Sequence, residues 1–365
     1  MKKIFVDIYL AYNLGDDLFL DVISKKYPED EFTINYLGDD YNKFISKYNN
    51  VKKRKYTIID KILQKLSIKD TITNYNKIAE QHDALVFIGG SIFRDESYHE
   101  DLYKERIEMV SAFKKLNKPV FVLGANFGPY KSLKFLGDYK KFFNICDDIC
   151  FRDTYSYNLF KYMNNVRLAP DIVFQLNLDK FKIREKRKLV GLSIIDVTHK
   201  ENLQNYEEEY LISNVKCIEL LVSKGYKCFL MSFCEIEGDL KAINKILSFL
   251  KEETKRNVKV YNYKGNLEEA IDLIGSFDLF ISARFHGNVL AQLLGIPILP
   301  VIYSEKTRNM LVDINLDEIM VNMNNLSLLY SEDVLNRSFK NICDINEVKE
   351  KSKLQFEKLT LFMKE

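Results

Sequence analysis

The chain has 365 residues, 47% hydrophobic and 29% charged, which is enough for two cores of ordinary size and sets aside disordered and fibrous classes. Lys and Arg number 54 against 52 Asp and Glu, a formal net charge of +2, so no global field exists to hold nucleic acid or an anionic membrane nonspecifically. The six cysteines contain no C-x-x-C pair; they form no disulfide framework, and reduced thiols in a cytoplasmic protein are expected.

In chain order, a short β-rich apolar run, a Gly or Asp turn and a longer helical stretch repeat, which is the pattern of parallel βαβ units. The first run, residues 3–10, is interrupted by Asp7 and ends without a small-residue cleavage site, so it reads as a strand rather than a leader. Further strands are expected at 32–37, 84–88, 120–124 and 149–152, with helices such as 17–26 and 102–116 between them. The basic run from Lys52 to Lys55 reads as a solvated loop or helix edge. Cys146 and Cys150, four apart with no histidine nearby, read as helix-to-strand core positions rather than half a zinc site.

The charged segment 176–188 places a boundary, giving an N-terminal α/β domain at 1–180. A second domain at 181–345 has strands at 189–195, 227–232, 258–263, 279–282 and 298–301. Its helices fall at 205–223, 239–251, 267–275 and 288–294. Residues 346–365 form a helical segment expected to pack back on the first domain. No apolar run approaches the ~20 residues that span a bilayer. The expected fold class is α/β, two doubly wound Rossmann-like domains facing across a cleft, where the carboxyl ends of the strands bind ligands.

Several strand ends carry residues suited to an anion. Asn13-Leu14-Gly15-Asp16-Asp17 follows the first strand, where glycine permits close backbone approach. An ordinary βα turn capped by Asp16 accounts for the same residues. Gly89-Gly90-Ser91 leaves bare backbone at a strand end but lacks the P-loop lysine and the dinucleotide spacing, which disfavours a nucleoside triphosphate or NAD site. Gly124-Ala125-Asn126-Phe127-Gly128-Pro129 is a third such loop. Arg152 is placed as an exposed guanidinium able to clamp a carboxylate or phosphate, with Asp153 or Ser156 capping the next helix, and Asp171 bonds backbone or Arg152.

The richest segment is Ser282-Ala283-Arg284-Phe285-His286-Gly287-Asn288. Arg284 supplies a permanent charge, His286 a proton donor near neutral pH, and the following helix an N-terminus, all of which favour a negative substrate. Lys306 is a candidate second phosphate partner. His82, His99 and His199 read as surface histidines, with His199 kept as a candidate for the acceptor.

Taken in order, Asn13-x-Gly15-Asp16, Gly89-Gly90-Ser91, Arg152-Asp153-x-x-Ser156, Pro170-Asp171-x-x-Phe174, Ser282-x-Arg284-x-His286-Gly287 and Tyr303-x-x-Lys306 resemble the motifs of the polysaccharide pyruvyl transferase family across most of the chain. Ile88-Gly89-Gly90 stands where that family often has three glycines, and Gly124-Ala125-Asn126-Phe127-Gly128-Pro129 departs from its usual Gly-x-Gly-x-Gly-Pro. The resemblance implies a GT-B-like fold and transfer of the enolpyruvyl unit of phosphoenolpyruvate onto two hydroxyls of a sugar in a surface polysaccharide or its precursor. The product would be a pyruvate ketal, with phosphate released.

On the residues and the resemblance together, His286 and Arg284 are the expected catalytic residues. Arg152, Lys306, Gly89, Gly90, Ser91, Asn13, Gly15, Asp16, Phe285, Gly287 and Asn288 are the expected substrate-binding set. Phosphoenolpyruvate is the donor substrate, and neither a cofactor nor a metal is expected. The partner is a sugar acceptor, with a lipid-linked oligosaccharide and a peripheral contact at the inner membrane face left open, no nucleic acid, and an undetermined oligomeric state. Two other readings stand beside this one: a GT-B-type sugar-nucleotide glycosyltransferase, and a non-catalytic glycan-binding protein of a polysaccharide assembly system.

Overall fold

The computed structural model describes residues 1–55, 62, 65, 74–181, 185, 187–200, 202–315 and 317–365, with the side chain of Lys306 outside that set. Two compact units divide the chain: Met1–Leu10 with Phe19–Ile172 and Glu350–Glu365, and Ala11–Leu18 with Val173–Lys349.

Among the described residues, the first unit is built on seven parallel strands: β1 (Lys3–Ile8), β2 (Glu31–Ile34), β3 (Val51–Lys53), β4 (Ala84–Ile88), β5 (Val120–Ala125), β6 (Asp148–Phe151) and β7 (Val166–Leu168). Their order is β3-β2-β1-β4-β5-β6-β7, so the winding reverses between β1 and β4 as in other doubly wound sheets. β4 and β5 read Ala-Leu-Val-Phe-Ile and Val-Phe-Val-Leu-Gly-Ala and are buried throughout. Such continuous apolar runs suit parallel strands covered on both faces. Helices His99–Lys115 and Leu133–Ile145 supply Phe113, Phe135, Tyr139, Phe142 and Phe143 to a core with Phe87, Phe93, Phe127 and Phe160. Each fully buried Phe contributes about 1.5–3 kcal/mol.

The last segment of the chain belongs to this unit. Strand β5 slips register between Leu123 and Ala125, with Gly124 at φ +70°, and the slip leaves the Gly124 N–H without a ladder partner. The buried Gln355 completes it: Oε1 accepts from Gly124 N–H at 2.9 Å, while Nε2 donates to the carbonyls of Ala169 at 2.6 Å and Phe151 at 3.3 Å.

Some expectations are corrected here. Lys52 and Lys53 are neither loop nor helix edge but lie in strand β3, with ion pairs to Glu31 and Asp39. Arg54 is buried and donates to Asn35 Oδ1 at 2.6 Å. His82 and His99 are not surface residues; each is only 7% exposed. His82 Nδ1 bonds the Ile78 carbonyl at 2.7 Å and its ring lies tilted against Phe5, centroids 5.4 Å apart, and burial lowers its pKa. His99 lies among Tyr103, Phe135 and Tyr139. An imidazole has enough apolar surface to fill a core when aromatic neighbours surround it. Cys146 and Cys150 are buried core residues, and burial pushes the Cys150 thiol up to about 12.

Among the described residues, the second unit has six parallel strands: β8 (Leu189–Ile194), β9 (Lys227–Ser232), β10 (Val258–Asn262), β11 (Leu279–Ser282), β12 (Ile298–Ile302) and β13 (Val321–Asn322), ordered β10-β9-β8-β11-β12-β13. The reversal falls between β8 and β11. Helices Glu207–Ser223 and Asp239–Phe249 close its core through Leu211, Ile218, Leu221, Ile243 and Ile246. Residues 11–18, distant in sequence, join this unit at the carboxyl ends of β9 and β10. Leu14 N–H donates to the Phe233 carbonyl at 3.0 Å, and Tyr263 Oη donates to Asp17 Oδ2 at 2.7 Å.

Candidate functional site

Strand β11 ends at Ser282, Arg284 is extended at φ −93° and ψ 126°, and the helix Phe285–Leu294 starts immediately after. Two buried serines hold this turn at the sheet's reversal point. Ser193 Oγ on β8 accepts from Arg284 N–H at 3.2 Å and lies 2.8 Å from Ser282 Oγ, which donates to the Arg284 carbonyl at 2.9 Å. Asn288 is buried, and its Nδ2 donates to the carbonyls of Ser282 and Arg284 at 3.3 Å each. A Cβ on Gly287 would lie 2.3 Å from Ser282 Oγ, so only glycine lets the helix begin so close to the strand.

Arg284 is 8% exposed. Its Nη1 donates to Glu237 Oε2 at 2.9 Å and its Nη2 to Asp239 Oδ1 at 2.5 Å. Asp239 is fully buried, and its Oδ2 accepts from the N–H groups of Phe233 and Cys234 at 3.0 Å. Glu237 accepts also from Lys200 Nζ at 2.6 Å and Asn13 Nδ2 at 3.2 Å. The cluster therefore holds two cations and two carboxylates. Burial raises the Glu237 carboxyl, but Arg284 and Lys200 outweigh it and hold that group well below the usual carboxylate range. Burial works against the Arg284 charge, yet Asp239 and Glu237 keep it protonated.

Asn13 links this cluster to the start of the helix Leu14–Lys26, because its Oδ1 accepts from Gly15 N–H at 3.0 Å. The His286 ring lies against Gly15: a Cβ there would be 2.1 Å from His286 Nδ1. Asn13, Gly15, Arg284 and His286 are thus brought together within one unit. Phe285 and His286 are half-buried in the first turn of their helix. Asp16 is half-buried and sits inside the first helical turn rather than at its cap, since the helix begins at Leu14, two residues before it. The sequence reading did not single out Lys200, Glu237 or Asp239. Their signal was position, since Lys200 follows β8, which borders the reversal, and Glu237 and Asp239 follow its neighbour β9.

A second cluster lies in the first unit. Arg152, at the end of β6, is buried rather than exposed; its Nη1 donates to Asp171 Oδ2 at 2.6 Å and its Nη2 to Asn126 Oδ1 at 2.9 Å. A Cβ on Gly90 would be 2.5 Å from Arg152 Nη2, and Asn126 N–H donates to the Gly90 carbonyl at 2.8 Å. Gly89 has φ +152°, and Ser91 is half-buried. Asp153 caps the helix Thr154–Phe160 by accepting from Ser156 N–H at 2.8 Å. The loops after β4, β5 and β6 therefore meet on one guanidinium.

Lys306 falls in the helix Glu305–Asp313, and its side chain lies outside the described residues. His199 has a side chain 46% exposed, with Nε2 3.8 Å from Asp196 Oδ2. Among the described residues, no group of three His, Cys, Asp or Glu is placed to hold a metal ion, and no helix is long and apolar enough to cross a membrane.

Comparison with known proteins gives three results. A family model described as polysaccharide pyruvyl transferase matches residues 13–305. The amylovoran biosynthesis protein AmsJ of Erwinia amylovora is 21% identical over 344 residues, covering 85% of this chain and 81% of that protein. Among solved structures, HepE of Anabaena in complex with UDP and glucose has a TM-score of 0.62 at 12% identity, covering 98% of this chain and 95% of that one. MnaA of S. aureus, in a co-structure with UDP, has a TM-score of 0.58 at 11% identity, covering 94% and 92%. The fold class is GT-B-like, two parallel-sheet α/β domains, and these structures share it.

Proposed function

We propose that this chain, which belongs to the polysaccharide pyruvyl transferase family, transfers the pyruvyl group of phosphoenolpyruvate onto two hydroxyls of a sugar in a surface polysaccharide or its precursor, forming a ketal and releasing phosphate. The observation that carries the reading is the meeting of His286 with Gly15 beside Arg284, which joins two sequence-distant motifs in one unit. An ionisable imidazole at a helix start, next to a guanidinium fixed by two carboxylates, suits an anionic substrate that must be protonated.

In this reading His286 delivers a proton to the methylene carbon of the donor, which becomes a methyl group while positive charge develops at the central carbon. One sugar hydroxyl adds there, and its proton returns to the imidazole that gave one up. The carbon–oxygen bond to phosphate breaks, and the second hydroxyl closes the ketal as its proton passes to the departing phosphate. Arg284, held rigid, places its charge beside the donor, and the turn made by Phe285, Gly287 and Asn288 sets the position of His286. Glu237 and Asp239 are poor proton acceptors for the hydroxyl, since one is held ionised by two cations and the other is saturated by hydrogen bonds. In the first unit, Arg152 with Gly89, Gly90 and Ser91 is the proposed substrate-binding set.

The test incubates the protein with phosphoenolpyruvate and a panel of β-linked galactosides and N-acetylmannosamine glycosides, following phosphate release and mass gain on the sugar. His286→Ala and Arg284→Ala should each abolish turnover; turnover that survives both unchanged would remove the assignment. The UDP complexes of HepE and MnaA favour one other reading, a sugar-nucleotide enzyme. Thermal stabilisation by UDP and not by phosphoenolpyruvate would select it.

A further inference from the structure

We infer that Arg284, Lys200 and Asn13 form the binding site for the carboxylate of the donor, and that Glu237 fills this site with its own carboxylate until the donor displaces it. The inference rests on the proposed donor and gives Lys200 and Glu237, which the motifs do not include, a task beside Arg284 and Asn13.

Three donors converge on Glu237: Arg284 Nη1 at 2.9 Å, Lys200 Nζ at 2.6 Å and Asn13 Nδ2 at 3.2 Å. This is a planar acceptor with both oxygens engaged, which is the geometry a substrate carboxylate needs. The two acidic partners of Arg284 differ in kind. Asp239 is fully buried and fixed by two backbone N–H groups. The Glu237 side chain is 28% exposed, is held by side chains alone among the described residues, and stands on a single 3-10 turn, Glu235–Glu237, that ends at Gly238 with φ +86°.

Charge gives the second argument. Asp239 balances Arg284, so Lys200 requires one further negative charge, and either Glu237 or a monoanionic carboxylate supplies it. At these three donors, exchange of one carboxylate for the other leaves the charge unchanged, and Glu237 is already partly in water when it leaves. Arg284 Nε is buried with no acceptor among the described residues, so the guanidinium has a donor to spare for a larger anion. Lys200 is steadied by the Tyr303 ring, 5.9 Å from its Nζ, and Tyr303 is itself part of a family motif.

The test is calorimetric titration of the full chain with phosphoenolpyruvate, comparing wild type, Glu237→Gln and Lys200→Met. Glu237→Gln, which removes the internal competitor, is expected to bind about tenfold more tightly, and Lys200→Met about tenfold more weakly. Affinity for inorganic phosphate, which has no carboxylate, should move in neither. Without ligand Glu237→Gln should melt below wild type, and saturating phosphoenolpyruvate should close that gap. Binding by Glu237→Gln that is unchanged or weaker, or a melting deficit that persists at saturation, overturns the inference while leaving the donor assignment standing. Wild-type protein that binds no phosphoenolpyruvate overturns both.

Discussion

Asp239 and Glu237 both pair with Arg284, and their surroundings set different costs for losing them. Removing Asp239 leaves a buried guanidinium and two backbone N–H groups without their acceptor. Asp239→Ala should therefore lose about 3–5 kcal/mol of stability, read from urea unfolding. Glu237 has a lowered native pKa, so its contribution is complete above the ordinary glutamate value of about 4.3 and is lost as pH falls from there toward the native one. The melting difference between wild type and Glu237→Gln should be steady between about pH 8 and 5 and shrink on further acidification. Gly15 is the most sensitive position of the proposed catalytic unit. Gly15→Ala would put a Cβ 2.1 Å from His286 Nδ1, and displacing that ring by about 1 Å should cut turnover about 100-fold, measured as phosphate release.

At the scale of elements, the buried strands with unbroken apolar runs, β4, β5, β8 and β11, were legible because burial on both faces leaves a plain signature in sequence. The edge strands β3, β7 and β13 were not. Val-Lys-Lys, Val-Arg-Leu and Val-Asn are too short and polar to stand out, since their pairing is decided by the neighbouring strand rather than by their own composition. The C-terminal segment illustrates the same dependence, because nothing in Lys353–Phe356 announces that Gln355 completes a slipped strand. Gln355→Ala should leave the Gly124 N–H and two carbonyls unsatisfied in the core. The expected loss is about 1–3 kcal/mol at least, again read from urea unfolding.

For the molecule as a whole, the division of the chain does not follow chain order. Residues 11–18 group with the second unit through Leu14 and Asp17. A cavity in that unit's core, Ile218→Ala, should speed amide exchange at Leu14, whose N–H bonds Phe233, while the Asn35 amide, bonded to Val6 in the first unit, stays at its wild-type rate. Equal acceleration at both amides would show that the chain opens as one body.

The sequence by itself determined that the chain forms two parallel α/β sheets, that glycines stand at strand ends, and that Arg284 and His286 begin a helix after a buried strand. These are local matters of apolar run length, turn chemistry and helix onset. Only the tertiary structure decided that Gly15 lies against His286 and that Arg284 already has acidic partners in Glu237 and Asp239, and it paired Asp171 with Arg152, where the sequence left backbone open as well. Those partners are chosen by which strand ends lie near one another in each sheet, a consequence of strand order that periodicity along the chain does not carry.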